Sequence, residues 1–244
     1  MGLSVPRLKF CGFTREEDLD VALGLGVDAV GLNFYSKSKR FIAPDKAIRL
    51  SRMAEGRTVR VGVFVDSTPE EVQRVVQECQ LDVIQLHGDE SPDWLDRWHA
   101  VMGDGALPIW KSLAYRGDVD RSVWEDWVSR YDSKTISSPS GKLGAMLVYA
   151  YEPLERGGTG KLANWDLLRP RPRCFLDREG IGIPLILAGG LTSDNIARAL
   201  EIVQPAGVDV ASGIESSPGI KDRIRMTEFS KKVRAHYSAS RSSP

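Results

Sequence analysis

Residues 185–219 read LILAGGLTSDNIARALEIVQPAGVDVASGIESSPG, and this stretch decides how the chain folds. It holds two short apolar runs, residues 185–188 and 208–211, separated by a segment whose apolar residues recur at helical spacing. A continuous apolar run is typical of a strand buried on both faces of a parallel sheet, and a crossover helix returns the chain for the next parallel strand. The stretch therefore predicts one βαβ unit. The predicted buried face of its helix consists of Ile196, Ala199, Leu200 and Val203.

Each of the two apolar runs ends in a turn of small residues, which read Gly-Gly and Ser-Gly. Such turns leave backbone N–H groups uncovered at the carboxyl ends of parallel strands, a geometry that suits a phosphate group. In eight-stranded α/β barrels, phosphate usually binds to the loops after the last two strands. A third glycine-rich turn follows the predicted sixth strand. The predicted phosphate-binding residues are Gly158, Gly160, Gly189, Gly190, Ser212 and Gly213.

The alternation of apolar run and amphipathic helix repeats along the whole chain. The eight predicted strands are residues 8–11, 29–34, 59–65, 83–86, 108–113, 145–150, 185–188 and 208–211. The length of 244 residues also suits one barrel. We therefore predict an α/β fold, a single (β/α)8 TIM barrel over residues 1–237, followed by a disordered tail, residues 238–244. An open doubly wound sheet is the competing topology, although it rarely needs eight regular units.

Helix starts and buried faces follow from capping residues and apolar spacing. Two sequences of the type Thr-x-x-Glu predict capping boxes at the start of the first and third helices. The capping residues are Thr14 with Glu17 and Thr68 with Glu71. The predicted fifth helix carries an apolar stripe, which consists of Val123, Trp124, Trp127, Val128 and Tyr131. The predicted last helix spans residue 220 to about residue 233. Two irregular segments, residues 133–142 and 169–182, are interpreted as insertions before the sixth and seventh strands.

Composition excludes several classes of partner. Lys plus Arg (33) equals Asp plus Glu (33), so no global field recruits nucleic acid or an acidic membrane. No apolar run approaches the roughly 20 residues that span a bilayer, and the N-terminus lacks a signal-peptide core. The three cysteines are widely spaced and odd in number, which argues against a disulfide framework. We expect a cytoplasmic protein without nucleic-acid or membrane partners, as a monomer or homodimer. The three histidines, His87, His99 and His236, are too dispersed to predict a metal site.

Polar side chains at the carboxyl ends of barrel strands face the active site. This rule selects five candidates: Cys11, Arg40, Asp66, His87 and Lys111. Two common nucleotide-binding motifs are absent from the sequence. The GGTGK segment has no glycine five residues before its last glycine and is therefore not a Walker loop, and no GxGxxG follows the first strand.

The short blocks KFCG at residues 9–12, YSKSKRF at residues 35–41 and QLHGDE at residues 85–90 resemble the phosphoribosylanthranilate isomerase family of tryptophan biosynthesis. The segment Lys9-Phe10-Cys11-Gly12 is similar to the KICG start of that family. The blocks, in the family's order, are residues 9–12 (KFCG), 35–41 (YSKSKRF), 61–65 (VGVFV), 85–90 (QLHGDE), 157–160 (GGTG), 187–191 (LAGGL) and 207–222. Any one block is weak evidence, whereas the ordered set is highly specific.

The resemblance implies an Amadori rearrangement of a phosphorylated small-molecule substrate, N-(5-phosphoribosyl)anthranilate, without cofactor or metal. In the family, the cysteine of KICG is the general base, a role that carries over to Cys11. A free thiol has a pKa of about 8.5 and needs a nearby cation to ionise at neutral pH. Lys9 lies two residues away on the same predicted strand face and is the expected helper.

The resemblance also assigns substrate-binding roles. Arg40 corresponds to the family arginine that holds the anthranilate carboxylate, and a planar guanidinium can do so through two parallel hydrogen bonds. His87 in the QLHG block and Asp209 in the VDVASGIE block are further candidates to contact the substrate.

One position departs from the family pattern. The family's general acid is an aspartate at the end of the sixth strand, in a block like LLVDA, and this sequence reads MLVYA with Tyr149 at that position. A phenol with a pKa near 10 donates hydrogen bonds but is a far poorer proton donor than a tuned carboxylic acid. Tyr149 is therefore a catalytic candidate that implies weakened catalysis.

Two other functions stay open at this point. The first is a catalytically impaired or repurposed barrel that still binds a phosphorylated ligand. The second is a Schiff-base aldolase-type barrel that uses Lys9 or Lys111, both near strand ends.

Overall fold

The computed structural model describes residues 5–130, 143–150, 165–169, 175 and 182–239 of the chain. Eight parallel strands form a closed barrel in sequence order, with β1 hydrogen-bonded to β8, which confirms the predicted fold class. The strands are β1 Leu8–Cys11, β2 Ala29–Asn33, β3 Val59–Phe64, β4 Val83–Leu86, β5 Ile109–Tyr115, β6 Leu143–Ala150, β7 Leu185–Ala188 and β8 Gly207–Val210. The predicted limits of β2, β3, β5, β6 and β8 are wrong by one or two residues at one or both ends.

Seven α-helices lie among the described residues. They are α1 Glu16–Gly24, α2 Pro44–Ala54, α3 Pro69–Cys79, α4 Asp93–Met102, α5 Arg121–Val128, α6 Ile196–Val203 and α7 Arg223–Ala239. Between β6 and β7 the described residues contain a 3₁₀ turn, Trp165–Leu168, instead of an α-helix. Most of the predicted insertions, residues 133–142 and 169–182, lies outside the described residues. Within the described part of the chain, no helix is both long enough and apolar enough to cross a membrane.

The strands are apolar on both faces because each face meets a different part of the core. Outward side chains such as Phe10, Leu32 and Ile84 pack against the helices, and inward side chains such as Val61, Leu147 and Ile186 fill the barrel. Alternation along β1 directs Lys9 and Cys11 to the interior. A fully buried lysine inside this apolar barrel requires a partner, which β8 supplies.

The predicted capping box of α3 is confirmed, whereas that of α1 is wrong. Thr68 Oγ1 accepts a hydrogen bond from Glu71 N at 3.3 Å, and a Glu71 carboxylate oxygen accepts one from Thr68 N at 2.9 Å. At α1 the N-cap is Arg15, which makes no side-chain capping bond. The hydroxyl of Thr14 instead donates to the carbonyl of Gly219 at 2.6 Å. This tertiary hydrogen bond joins the loop after β1 to the loop after β8.

The region after β8 also differs from the prediction. The predicted helix start is wrong, because Ile220–Lys221 forms a short strand β10 that pairs antiparallel with β9, Glu215–Ser217. The last helix begins at Arg223 and runs to Ala239, two residues into the segment predicted as a disordered tail. The remaining tail residues, 240–244, lie outside the described residues.

The apolar stripe of α5 is only partly buried. Trp124, Trp127 and Val128 are buried, but Val123 is 46% exposed. The three buried residues form the covered face of the helix, and Val123 lies outside that face. The prediction for Tyr131 lies outside the described residues.

Candidate active site

An ion pair between the first and last strands forms the floor of the candidate site. The register pairs Lys9 with Asp209, and Lys9 Nζ donates to Asp209 Oδ1 at 2.7 Å. Both side chains are buried, with exposed fractions of 0% and 9%. Burial alone would lower the pKa of Lys9, but the Asp209 carboxylate outweighs it and raises that pKa. Lys9 is therefore a fixed positive charge inside the barrel.

The thiol of Cys11 lies next to this lysine at the carboxyl end of β1. Gly31 on β2 leaves room for both groups, since a methyl group there would be 2.6 Å from Cys11 Sγ and 3.2 Å from Lys9 Nζ. Burial raises the pKa of Cys11, Lys9 and Lys221 lower it, and Asp209 raises it. The net direction is upward, so the expected effect of Lys9 is present but is outweighed by burial and Asp209.

Arg40 reaches the same end of the barrel from the loop between β2 and α2. Its aliphatic stem crosses Gly12, where a Cβ atom would be 2.5 Å from Arg40 Cδ, so the glycine of the KFCG block makes room for the arginine. Arg40 Nε and Nη2 donate to the two carboxylate oxygens of Glu215 at 2.8 Å and 2.7 Å. These hydrogen bonds raise the pKa of Arg40, and the charge of Cys11 contributes in the same direction. Because Gly12 follows Cys11 directly, the Arg40 stem crosses the backbone next to the residue that bears the thiol.

A second buried lysine, which the sequence analysis did not select, completes this cluster. Lys221 Nζ donates to Glu215 Oε1 at 2.8 Å and to the carbonyl oxygens of Cys11 and Ala211. The side chains of Lys221 and Glu215 are 0% and 3% exposed. Burial raises the pKa of Glu215, but Arg40 and Lys221 outweigh it and lower that pKa. Both residues fall within the block 207–222, which was the available signal, but neither follows a predicted strand directly.

His87 and Tyr149 form an aromatic pair at the mouth of the barrel. Their rings stack with centroids 5.5 Å apart and planes at 16°. Gln85 Nε2 lies 3.0 Å from His87 Nδ1 and 3.0 Å from Ser112 Oγ, while Gln85 Oε1 is buried without a hydrogen-bond partner among the described residues. Desolvation of the ring lowers the pKa of His87 to about 4, although the residue as a whole is exposed. His87 is therefore neutral at pH 7.

The turns after β7 and β8 contact each other. Gly189 and Gly190 have φ angles of 84° and 65°, and a Cβ atom at Gly213 would be 1.8 Å from the carbonyl oxygen of Leu191. Asn195 fixes the first turn, since it accepts from Thr192 N and donates to Gly190 O, both at 2.9 Å. Within the described ranges, no residue accepts a hydrogen bond from the backbone N–H groups of Gly189, Gly190, Ser212 or Gly213. The third predicted glycine turn, with Gly158 and Gly160, lies outside the described residues.

Two candidates selected by their position after strands make hydrogen bonds to the loop after β4. Lys111 points outward, where Nζ donates to Gly88 O at 2.7 Å and forms an ion pair with Glu90, above the ring of Trp127. Asp66 Oδ1 accepts from Asp89 N at 2.6 Å, which holds the loop after β4. The interpretation of Lys111 as an active-site residue is wrong, because strand alternation turns it toward the helices. Of the two Schiff-base candidates only Lys9 faces the interior, where it is bound to Asp209.

Among the residues that the structure describes, no three His, Cys, Asp or Glu side chains form a group that could hold a metal ion. The fold and this set of side chains define a (β/α)8-barrel enzyme with a buried thiol, a carboxylate-held guanidinium and paired glycine turns at the carboxyl ends of its strands. The chain belongs to the N-(5'-phosphoribosyl)anthranilate (PRA) isomerase family, whose sequence pattern matches residues 8–232.

Similar proteins cover almost the whole chain. The N-(5'-phosphoribosyl)anthranilate isomerase of Syntrophus aciditrophicus is 39% identical over 215 residues, 88% of this chain and 81% of that protein. The enzyme of the same name from Ralstonia nicotianae is 35% identical over 234 residues, 96% of this chain and 95% of that protein. The crystal structure of phosphoribosyl anthranilate isomerase from Thermotoga maritima has a TM-score of 0.77 at 31% identity and covers 95% of this chain and 100% of its own. A phosphoribosyl anthranilate isomerase structure in complex with reduced 1-(o-carboxyphenylamino)-1-deoxyribulose 5-phosphate has a TM-score of 0.74 at 29% identity, with coverage of 95% and 100%.

Proposed function

We propose that this chain isomerises N-(5'-phosphoribosyl)anthranilate to 1-(2-carboxyphenylamino)-1-deoxyribulose 5-phosphate in tryptophan biosynthesis. The observation that carries the proposal is the packing of the Arg40 side chain across Gly12, the residue that follows Cys11, at the barrel end that also presents the glycine turns. The reaction needs a base, a carboxylate site and a phosphate site at one mouth. Family membership and a relative with a bound product analogue support the same substrate.

The substrate is oriented by its two anionic ends. The N–H groups of the turns after β7 and β8 from which no described residue accepts suit the phosphate, because small residues leave these backbone donors uncovered. The guanidinium of Arg40 suits the anthranilate carboxylate at the other end. His87, as a neutral group, and Asp209, as the partner of Lys9, are the proposed contacts to the sugar between these two ends.

The chemistry then requires two proton transfers. The furanose ring oxygen takes a proton as its bond to C1′ breaks, which leaves an iminium ion. The thiolate of Cys11 removes the proton from C2′, and the electron pair of that C–H bond neutralises the iminium to give an enolamine, which tautomerises to the ketone. Because burial raises the pKa of Cys11, the active thiolate is a minor species at pH 7, and the rate should rise with pH.

Tyr149 is the proposed donor to the ring oxygen. A phenol donates a hydrogen bond but is poorly matched as a general acid, and loss of a well-matched general acid typically costs about 10²–10⁴-fold in rate. The stack of Tyr149 on His87 favours a second candidate function, a barrel that binds a phosphorylated ligand with little turnover, because the stack fills part of the mouth.

A steady-state assay that follows the loss of substrate fluorescence separates the two candidates. For an isomerase, the parent protein turns over, Cys11→Ser abolishes turnover, Tyr149→Phe slows it and Tyr149→Asp accelerates it. A parent without turnover that gains it only with Tyr149→Asp supports the binding function instead. If Tyr149→Phe leaves the rate of an active parent unchanged, Tyr149 is not the acid. If Tyr149→Asp also fails and the product analogue does not bind, both candidates are wrong.

The proposed reaction uses only side-chain acids and bases, so we expect full activity in the presence of a chelator and without any added cofactor. We also expect a cytoplasmic enzyme that works as a monomer or homodimer. Gel filtration with light scattering measures the oligomeric state, and cell fractionation tests the location.

A further inference from the structure

The hydrogen bonds of Arg40 divide its guanidinium into an occupied and an open edge. A guanidinium has five N–H donors, and Glu215 uses the one on Nε and one of the two on Nη2. Both hydrogens on Nη1 and the second hydrogen on Nη2 therefore remain, and no described residue accepts from them. One hydrogen on Nη1 and the second hydrogen on Nη2 form the other bidentate edge of the same plane. The structure thus leaves a complete second carboxylate-binding edge on Arg40.

The charge balance of the cluster also favours a second anion. Burial lowers the pKa of Lys221 from its usual value, and the Glu215 carboxylate opposes that shift. With Lys221 protonated, one carboxylate, that of Glu215, is shared between two cations, Arg40 and Lys221, so these three side chains carry one surplus positive charge. Lys221 and Glu215 are almost fully buried, whereas the Arg40 side chain is 21% exposed. The surplus charge is therefore presented at Arg40. Without Lys221, the carboxylate of Glu215 would neutralise Arg40, and the open edge would attract an anion less strongly.

Lys221 cannot leave this arrangement without breaking other bonds. Its three N–H donors are directed at Glu215 and at the carbonyl oxygens of Cys11 and Ala211. Its backbone N–H donates to Asp18 at 2.9 Å, and Glu215 also accepts from Gly219 N at 3.3 Å. The ends of β1 and β8 thus fix Lys221, which fixes Glu215, which orients Arg40.

We infer that Glu215 and Lys221 are positioning residues that hold the open edge of Arg40 toward the carboxylate of the substrate and keep its charge available. The inference rests on the proposed function, since it takes the aromatic carboxylate of the substrate as the second anion. Glu215 sets the orientation of the guanidinium plane. Lys221 compensates the charge of Glu215.

Two probes measure this role directly by calorimetry. One is reduced 1-(o-carboxyphenylamino)-1-deoxyribulose 5-phosphate, and the other is the same compound without its carboxyl group. The dissociation constant of the probe without the carboxyl group, divided by that of the carboxylate probe, reports the carboxylate contact alone, because both probes share the sugar and the phosphate. We expect Lys221→Met to lower this ratio about tenfold, the effect of one charge-assisted contact, while the affinity for the probe without the carboxyl group changes less than about twofold. Arg40→Met should abolish the preference, and adding Lys221→Met to it should have no further effect on the ratio.

The double variant Glu215→Gln with Lys221→Met separates charge from folding. It contains no unpaired buried charge, and Arg40 keeps its full positive charge, so the ratio should recover above that of Lys221→Met alone. A ratio that is unchanged in Lys221→Met, or equal weakening of both probes, overturns the inference. If the parent shows no turnover, but prefers the carboxylate probe and loses that preference in Lys221→Met, the isomerase function is refuted and this inference stands.

Discussion

Replacing Lys9 by methionine removes the cation beside the Cys11 thiol, and we predict that the pKa of Cys11 rises. A methyl group on Gly31 would lie 2.6 Å from the thiol sulfur and 3.2 Å from the lysine nitrogen. The two atoms are therefore less than about 6 Å apart, and unit charges at that distance interact by about 3 kcal/mol at an effective dielectric constant of 20. This energy corresponds to about two pKa units, or about a 100-fold smaller thiolate fraction below the pKa. Because a thiolate becomes a stronger base as its pKa rises, with a Brønsted coefficient of about 0.5, kcat/KM should fall only about tenfold at neutral pH.

The matched control is Asp209→Asn, which breaks the same ion pair from the other side. Either change leaves one buried charge without its partner and should lower the free energy of unfolding by about 3–5 kcal/mol. Their effects on the thiol are opposite, since the Asp209 carboxylate raises the pKa of Cys11 and Lys9 lowers it. A general loosening of the barrel would move both variants in the same direction.

The pKa of Cys11 is measured from the pH dependence of its alkylation by iodoacetamide. Mass spectrometry of the peptide that contains Cys11 is needed, because the chain has three cysteines. Urea denaturation gives the stability of each variant, and the pH dependence of kcat/KM gives the functional consequence. If Lys9→Met leaves the pKa of Cys11 unchanged, or if both variants shift it in the same direction, the electrostatic reasoning is wrong.

Three further changes test other contacts. Gly12→Ala places a methyl group 2.5 Å from Arg40 Cδ at a φ of 80°, so KM should rise about tenfold with a much smaller change in kcat; an unchanged KM contradicts the role of Arg40 in binding. Gly213→Ala places a methyl group 1.8 Å from the carbonyl oxygen of Leu191, so inhibition by inorganic phosphate should weaken about tenfold, and unchanged inhibition argues against a phosphate site there. Lys111→Met leaves Glu90 buried and unpaired, so the free energy of unfolding should fall by about 3–5 kcal/mol while kcat/KM of the folded protein is kept; loss of borohydride trapping on a carbonyl substrate in this variant would instead revive a Schiff-base role.

The parts of the fold that depend on short-range patterns could be predicted from the sequence. The bounds of β7 are confirmed, and the four residues chosen as the inner face of α6 are all buried. The capping box at Thr68 is confirmed because its two partners lie three residues apart. In each case the neighbours along the chain supply the decisive contacts. The predicted alternation along β1, with Lys9 beside Cys11, holds for the same reason.

The contacts that the sequence analysis missed join distant parts of the chain. The sequence predicts Thr14 as a helix cap, but its hydroxyl donates a hydrogen bond to Gly219, which lies 205 positions away. Arg40 and Glu215 are separated by 175 positions, so no spacing rule connects them. Lys111 follows a valid rule about strand ends, yet it faces outward, because the rule does not fix which side of the strand is inside. The predicted helix start at residue 220 is wrong, because residues 220–221 form strand β10, which pairs with β9.

The Lys9–Asp209 pair unites residues 200 positions apart, one near the beginning of the chain and one near its end. During synthesis Lys9 leaves the ribosome 200 residues before Asp209, so the two side chains cannot pair until the last barrel strand has been made. Closing so long a loop is slow relative to local folding. A chain without the last strand would therefore hold the Cys11 thiol beside a lysine that has no carboxylate partner, so this electrostatic environment is completed only when the barrel closes.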